Sequence, residues 1–314
     1  MKKICAVIVT YNRLECLKET LNAIEKQSLP LAGILVFDNH STDQTVKYLQ
    51  DKGYSEISGE NEEIIRKSYF CSETNLGGSG GFSQAVQIAS KGDFDYIWVM
   101  DDDVAPVESC LATLLNSMEA NNVQVGVPAR IGKDFTDKVC VDLDLSNMFK
   151  FFIWWRKKYA KCPLNKGTYF VQDMTFEGPL ISVPLINRVG IPDASYFIQF
   201  DDTDYAQRLL HFSKIIYVKD AVIKRQLPAK IIKENEKKEP MNWRDYYFIR
   251  NNIAFDKRYG KRWSVRTLSP LFMIVYYILL AIKDGNLQKN LPIIMKAARH
   301  GLNKKMGKRV DPNY

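Results

Sequence analysis

Three consecutive carboxylates, Asp101-Asp102-Asp103, close the apolar run Ile97-Trp98-Val99-Met100. A strand that ends in acids delivers them to a sheet edge, where open α/β folds bind ligands. Side chains at i and i+2 of a strand share a face, so Asp101 and Asp103 are expected side by side; at about 6 Å and an effective dielectric near ~20 they repel by about 3 kcal/mol. A hard divalent cation, Mg²⁺ or Mn²⁺, reverses that penalty and would serve a phosphorylated substrate. The competing reading is an acidic turn, with Asp103 capping a helix that begins near Pro106.

Other residues point to the same kind of ligand. Thr10, Tyr11, Asn12 and Arg13 follow the first apolar run and Asp38 ends the second; together they offer edge acceptors for a base and an acid for a ribose hydroxyl. Turn and cap chemistry explains each of them singly. The segment Asn75-Leu76-Gly77-Gly78-Ser79-Gly80-Gly81-Phe82 can turn backbone N–H groups toward phosphate or sugar, ahead of a helix N-terminus that favours negative charge; the alternative is a tight turn. A dinucleotide fingerprint should follow the first strand, where Thr10 to Arg13 contains no glycine, which argues against a nicotinamide oxidoreductase. A second acidic group, Asp201, Asp202 and Asp204, opens a helical pattern through Ala206, Leu209 and Leu210, a place where acids also suit the helix dipole.

The elements that must carry these residues alternate. Ile4 to Val9 reads as a buried strand, and Leu14, Leu17, Leu21 and Ile24 follow at helical spacing. Strands are expected at Gly33 to Asp38, Tyr69 to Ser72 and Asp95 to Met100, with a helix after each, and then near Val123 to Pro128, Phe176 to Val183 and Ile215 to Val218. Such alternation predicts an α/β fold on a largely parallel sheet, with the working loops at the strand C-terminal ends. Phe149, Phe151, Phe152, Trp154 and Trp155 form an aromatic cluster without a period, read as core packing, with stacking on acceptor sugars or contact with lipid as the alternative. The charged run Lys230 to Glu239 reads as a solvated linker or surface helix.

The chain has 314 residues, 46% of them hydrophobic, enough for one large core with an appendage. From Asn242 to Tyr314 there are fifteen Lys or Arg against four Asp or Glu, a charge of +11, so that the first 241 residues carry −3 of the total +8. A basic tail on a mildly acidic body suits a membrane surface or a polyanion rather than nucleic acid. The six cysteines lack a C-x-x-C pair and read as reduced thiols of a cytosolic protein; the three histidines are too scattered in sequence for a zinc site. Met1-Lys2-Lys3 leads directly into the first strand, unlike a signal peptide. Leu268 to Ile282 is the one long apolar run; fifteen helical residues would reach about 22 Å against a hydrocarbon core of about 30 Å. It is expected either in the interface or as a buried helix. Beyond it, Leu287, Leu291, Ile294, Ala298 and Leu302 make the stripe of an amphipathic basic helix.

Four segments in this order, Val7 to Arg13, Phe37 to Asp43, Asn75 to Gly78 and Asp101 to Asp103, resemble the inverting nucleotide-sugar glycosyltransferases of family two, with the GT-A fold. The extended glycine segment and Phe197 to Tyr205 are similar to the galactofuranosyl- and rhamnosyltransferase branch, as is Trp243 to Asn251. The resemblance implies a GT-A, Rossmann-like domain over 1–228 and a basic helical extension, membrane-associated, over 229–314. It implies transfer of one hexosyl unit, from UDP-galactofuranose as first choice and dTDP-rhamnose as second, to a lipid-linked or polysaccharide acceptor of bacterial surface glycan, at the cytoplasmic face of the membrane. Thr10, Tyr11, Asn12, Arg13, Asp38, Asn75, Gly77, Gly78, Asp101 and Asp102 are then expected on the nucleotide-sugar, and Asp101 and Asp103 on Mn²⁺ or Mg²⁺.

An inverting transfer needs a base on the acceptor side and positive charge at the departing diphosphate. The family pattern puts Asp202 at the base, with Asp201 as the near alternative; Gly80 and Asp204 are expected on substrate. One departure stands out: relatives often place a metal-binding histidine after the strand at Ile215 to Val218, whereas Val222 to Gln226 has none. Lys224 or Arg225 is expected on the diphosphate instead, which puts strict metal dependence in doubt. The alternative reading is a non-catalytic module that binds a sugar nucleotide or the membrane within an assembly complex.

Overall fold

A computed structural model describes residues 2–58, 64, 66–228 and 239–312. Its first half is built from β1 (Ile4–Thr10), α1 (Leu14–Glu25), β2 (Gly33–Asp38), α2 (Thr45–Asp51), β3 (Ser55–Glu56), β4 (Ser68–Cys71), α3 (Gly77–Ser90) and β5 (Tyr96–Asp101). β1 lies between β2 and β5, parallel to both, and β4 continues the parallel run beyond β2. Every residue of β1 is buried, because helices cover both faces. Cys5, Val7 and Val9 face the layer holding α3, while Ile4, Ala6 and Ile8 face the layer holding α1 and α2. A strand with two buried faces reads as an unbroken apolar run, which is how this one looks in the sequence.

The second half departs from a parallel design. It comprises β6 (Val104–Pro106), α4 (Cys110–Ala120), β7 (Val125–Ile131), β8 (Cys140–Leu143), α5 (Ile153–Arg156), β9 (Lys157–Tyr159), β10 (Thr168–Val171), β11 (Leu180–Ser182), α6 (Val183–Val189), α7 (Asp201–Leu210) and β12 (Ile215–Arg225). β11 inserts antiparallel between β5 and β7, and β10 and β6 pair antiparallel with β12, so the ten-stranded sheet is mixed. Val104 to Pro106 is strand rather than helix, and α4 starts four residues after Pro106; Asp103 therefore caps nothing. β12 runs on to Arg225 through a register shift between Val218 and Val222, well beyond the short strand expected there.

Three helices follow: α8 (Trp243–Tyr259), α9 (Trp263–Lys283) and α10 (Leu287–Leu302). Tyr246, Tyr247, Ile253, Met273, Ile294 and Ala297 meet in their common core. The stripe expected on α10 is only partly the buried one: Ile294 and Ala298 are covered, but Leu291 and Leu302 are exposed, and Asn290, Ala297 and Gly301 complete the face against α8. The helix turns this way because Gly301 permits close approach; a Cβ there would lie 2.7 Å from the Arg250 carbonyl oxygen. α9 begins five residues before Leu268, so it is 21 residues long, about 31 Å. The helices join the sheet domain through a fully buried ion pair, Arg156 to Asp256 at 2.8 Å, and through Phe197 against Tyr247, ring centroids 4.8 Å apart. The charged run from Lys230 lies outside the described residues up to residue 238.

Candidate active site

The parallel strands β1, β2, β4 and β5 all end at one edge, and a cleft of about 650 Å³ opens there. Its first wall is the β1–α1 turn, Thr10 to Arg13, which Asp102 organises. Thr10 donates its hydroxyl to Asp102 at 2.8 Å and Arg13 its guanidinium at 3.3 Å. Burial pushes the Asp102 carboxyl up to about 6, against the pull of Arg13 and Thr10. Asn12 takes a left-handed φ of 50°, and its side chain accepts from the Thr42 backbone N–H at 2.7 Å.

The second wall is the glycine segment. Gly77 has φ +73°, and a Cβ there would sit 2.2 Å from the Phe197 carbonyl oxygen, so only glycine fits. Asn39, unrecognised in the sequence, is its organiser: buried, it donates to the Gly77 carbonyl at 3.1 Å and accepts from the Leu76 N–H at 2.9 Å. Asn75, Gly77 and Gly78 line the cleft. Gly80 does not; it is buried in α3 against Leu76.

Asp101 lines the cleft at the end of β5. Burial, and then the neighbouring charges of Asp103, Asp102 and Glu177, push its carboxyl well above the usual range. Glu177 arrives because residues 176–182 run antiparallel along β5, with the Asp101 N–H donating to the Phe176 carbonyl at 3.1 Å. Arg130 at 3.4 Å and Arg225 at 3.3 Å flank the Glu177 carboxylate. Among the described residues, Asp101 has no hydrogen-bond or ion-pair partner for its own side chain, and no set of three His, Cys, Asp or Glu converges on one point. A single free carboxylate crowded by other acids still fits a hard cation that takes its remaining ligands from substrate phosphates. Asp103 does not share that role here: it pairs with Arg13 at 2.9 Å and lies off the cleft wall.

The opposite chemistry sits at the N-terminus of α7. Asp201 and Asp202 both line the cleft, and burial raises both carboxyls, Asp201 further through the neighbouring charge of Asp202. Asp173 raises Asp202 further, whereas Lys157 and Arg130 favour its charged form. Of the two, Asp202 is therefore the one that ionises first. The preceding segment is unusual, with Phe197, Gln199 and Phe200 all at positive φ, and it brings Phe197, Ile198 and Gln199 to the cleft. Arg244, from α8, completes the lining with its guanidinium 4.8 Å from the Trp243 ring centre.

Besides Gly80, four expected substrate or donor residues lie elsewhere. Asp38 is buried beneath the turn, accepting from the Ser41 N–H at 3.1 Å. Asp204 is fully buried and taken up by Tyr259 at 2.7 Å, Arg258 at 2.9 Å, Arg208 at 3.0 Å and Tyr196 at 3.1 Å. Lys224 is exposed on β12, away from the cleft lining, and Arg225, also off the lining, pairs with Glu177 and lies over the Phe135 ring.

Fold and cleft together define a GT-A sugar-transferase architecture, an α/β sheet with acids at its strand ends and a helical C-terminal region. The chain belongs to glycosyl transferase family 2, whose model matches residues 5–176. It is 26% identical over 213 residues to galactofuranosyltransferase GlfT1 of Mycolicibacterium smegmatis, covering 66% of this chain and 65% of that protein. The Mycobacterium tuberculosis GlfT1 is 25% identical over the same length, covering 67% and 65%. The chain thus spans just under two thirds of the curated relatives it matches. Among solved structures, S. aureus TarS 1-349 with UDP-GlcNAc superposes with a TM-score of 0.58 at 13% identity, over 96% of this chain and 82% of that one. GalNAc-T7 with UDP, GalNAc and Mn2+ gives 0.55 at 14%, over 97% and 58%; at such identities the likeness is one of fold.

Proposed function

We propose that the protein is an inverting transferase that moves one galactofuranosyl unit from UDP-galactofuranose to a lipid-linked acceptor in surface-glycan synthesis, at the cytoplasmic face of the membrane. The observation that carries this reading is that one cleft holds both a strand-end carboxylate without a side-chain partner among the described residues, Asp101, and a buried carboxylate favoured in its charged form by Lys157 and Arg130, Asp202. The similarity to the mycobacterial GlfT1 proteins supports galactofuranose ahead of rhamnose.

In this mechanism Thr10 to Arg13 receive the nucleoside, and the backbone at Gly77 and Gly78 approaches the donor. Mg²⁺ or Mn²⁺ on Asp101 would neutralise charge on the departing diphosphate. Asp202 accepts the proton of the acceptor hydroxyl as that oxygen attacks the anomeric carbon, while Asp201, the more strongly raised carboxyl, stays protonated beside it. Residues 1–228 supply donor and base, and residues 229–314 close the cleft through Arg244.

Calorimetric titration with UDP and with dTDP, each in Mn²⁺ and in EDTA, tests donor and metal together. Binding of UDP in Mn²⁺, lost in EDTA, is the expected result; a preference for dTDP would move the donor to rhamnose. Transfer that survives Asp202→Asn would remove Asp202 as base, and the absence of binding to either nucleotide would leave only a recruiting module.

A further inference from the structure

α9 is half buried, half bare. Val265, Ser269, Pro270, Met273 and Ala281 face the protein, whereas Leu271, Val275, Leu279 and Ile282, spaced by four, four and three residues, form a stripe on the other side. Leu271 is 51% exposed, Leu279 60% and Ile282 55%. The stripe continues into the aromatic cluster of the sheet domain. Phe149, 63% exposed, stacks on Phe272 at 5.5 Å, and Trp155 meets Tyr276 edge-on at 6.1 Å. Trp154, next to Trp155, is also exposed. None of these side chains lines the catalytic cleft.

Two features identify what covers this patch. Residues 263–283 contain no acid, and Arg262, Arg266 and Lys283, all exposed, stand at the two ends of the stripe. A second copy docked by two-fold symmetry would set these cations against their own counterparts, a like-charge arrangement that costs free energy. An anionic lipid surface instead pairs with them, and Trp and Tyr rings prefer the headgroup level. The helix is long and apolar enough to cross a bilayer, but its inner face is bonded to the protein. Ser269 accepts from Arg156 at 3.0 Å and donates to the Met148 carbonyl at 2.8 Å, beside the buried Arg156–Asp256 pair. Withdrawing the helix to span the membrane would leave those polar groups unpaired.

We propose that the stripe Leu271–Val275–Leu279–Ile282, together with Phe149, Trp154 and Trp155, is the surface by which the protein lies on an anionic bilayer, with α9 parallel to the membrane plane. This rests on and deepens the reading of a lipid-linked acceptor, since it holds the protein on the leaflet that carries such an acceptor.

The test is cosedimentation of the full chain with vesicles of phosphatidylglycerol and phosphatidylcholine in equal parts, and of phosphatidylcholine alone, with UDP binding measured on the same samples. Wild type is expected to sediment preferentially with the anionic vesicles. The double variant L271E/L279E is expected to lose about a hundredfold in partitioning, with UDP binding unchanged because both residues are on the outer surface. Equal binding by the double variant, or no binding by wild type, overturns the proposal. Wild-type dimers that the variant converts to monomers would show that a second copy covers the patch, and resistance to alkaline extraction would show a spanning helix; each overturns it too. UDP binding without vesicle binding sinks the surface and leaves the transferase reading intact; vesicle binding without UDP binding does the reverse.

Discussion

The Nδ2 of Asn251 lies 2.8 Å from the carbonyl oxygen of Ile198, so a residue of α8 holds the backbone that leads into Asp201 and Asp202. The same amide reaches the carbonyls of Tyr196 at 3.2 Å and Gln199 at 3.1 Å, and Arg250 adds a bond to Tyr196 at 2.7 Å. From the opposite side, the Ser79 N–H donates to the Phe197 carbonyl at 3.1 Å. Phe197, Gln199 and Phe200 all sit at positive φ, each costing on the order of 1–3 kcal/mol for a residue with a Cβ. Such a segment persists only where its surroundings over-determine it. The clamp ties the C-terminal helices to the wall of the cleft.

Replacing Asn251 with Ala should therefore lower kcat by about 10- to 100-fold, the cost of a base displaced by a fraction of an ångström to an ångström, while UDP affinity stays within about twofold. Steady-state kinetics beside calorimetry separate the two effects. An unchanged kcat in a folded variant would show that the clamp does not position Asp202.

Lys157 gives a pH-dependent prediction. Burial and Asp173 raise the Asp202 carboxyl, and Lys157 opposes them. A general base works when ionised, so activity rises with pH through the Asp202 pKa. Removing the cation in Lys157→Met should raise that pKa and move the acid limb of the kcat profile to higher pH, with activity recovering as pH is increased. A limb that stays in place would separate Lys157 from the base.

How much of this was legible depended on how local each cause is. The parallel half of the sheet could be read because β1, β2 and β5 are unbroken apolar runs that end in polar residues, and Thr10 to Arg13, Asn75, Gly77, Gly78, Asp101, Asp201 and Asp202 do gather at one cleft. β11 is three residues long, too short for its direction to leave a pattern. Asp204 has the same sequence neighbourhood as Asp202; what separates them is Arg258 and Tyr259, more than fifty residues away, which enclose Asp204. Asn39 was adjacent to Asp38, and a buried amide bridging to the glycine segment leaves no local signal. Glu177 and Arg244 were missed for the same reason, although Arg244 follows a tryptophan in an aromatic-rich segment that already resembled the family branch.

Arg244 is the cation in the cleft lining that lacks a carboxylate partner among the described residues; Arg13, the other, is paired with Asp102 and Asp103. With a diphosphate bound in the cleft, such a guanidinium would form charge-assisted hydrogen bonds worth about 1.5–3 kcal/mol. Arg244→Ala is accordingly expected to weaken UDP binding by about 10- to 100-fold, with uridine binding little altered. If both ligands bind as before, Arg244 serves the acceptor or nothing, and the acceptor KM would tell which.

The Arg156–Asp256 pair should govern stability rather than chemistry. Both side chains are buried, Arg156 also bonds the carbonyls of Asp144 and Asn147 and the hydroxyl of Ser269, and Asp256 is pushed up to about 7 by burial despite Arg156. Removing one partner strands the other in a desolvated site, a loss of about 3–5 kcal/mol. Asp256→Ala is thus expected to lower the unfolding free energy by that amount in a urea titration, while Asp256→Asn, which keeps an acceptor for the guanidinium, should cost less. The sign of the pH dependence follows from the raised carboxyl: its folded pKa lies above the unfolded value, so ionisation destabilises the fold, and this group's contribution falls as pH rises from about 4 to about 7. In the Asp256→Asn variant that slope should vanish. A variant with wild-type stability and an unchanged pH slope would show that the helices are held to the sheet domain by their apolar contacts alone.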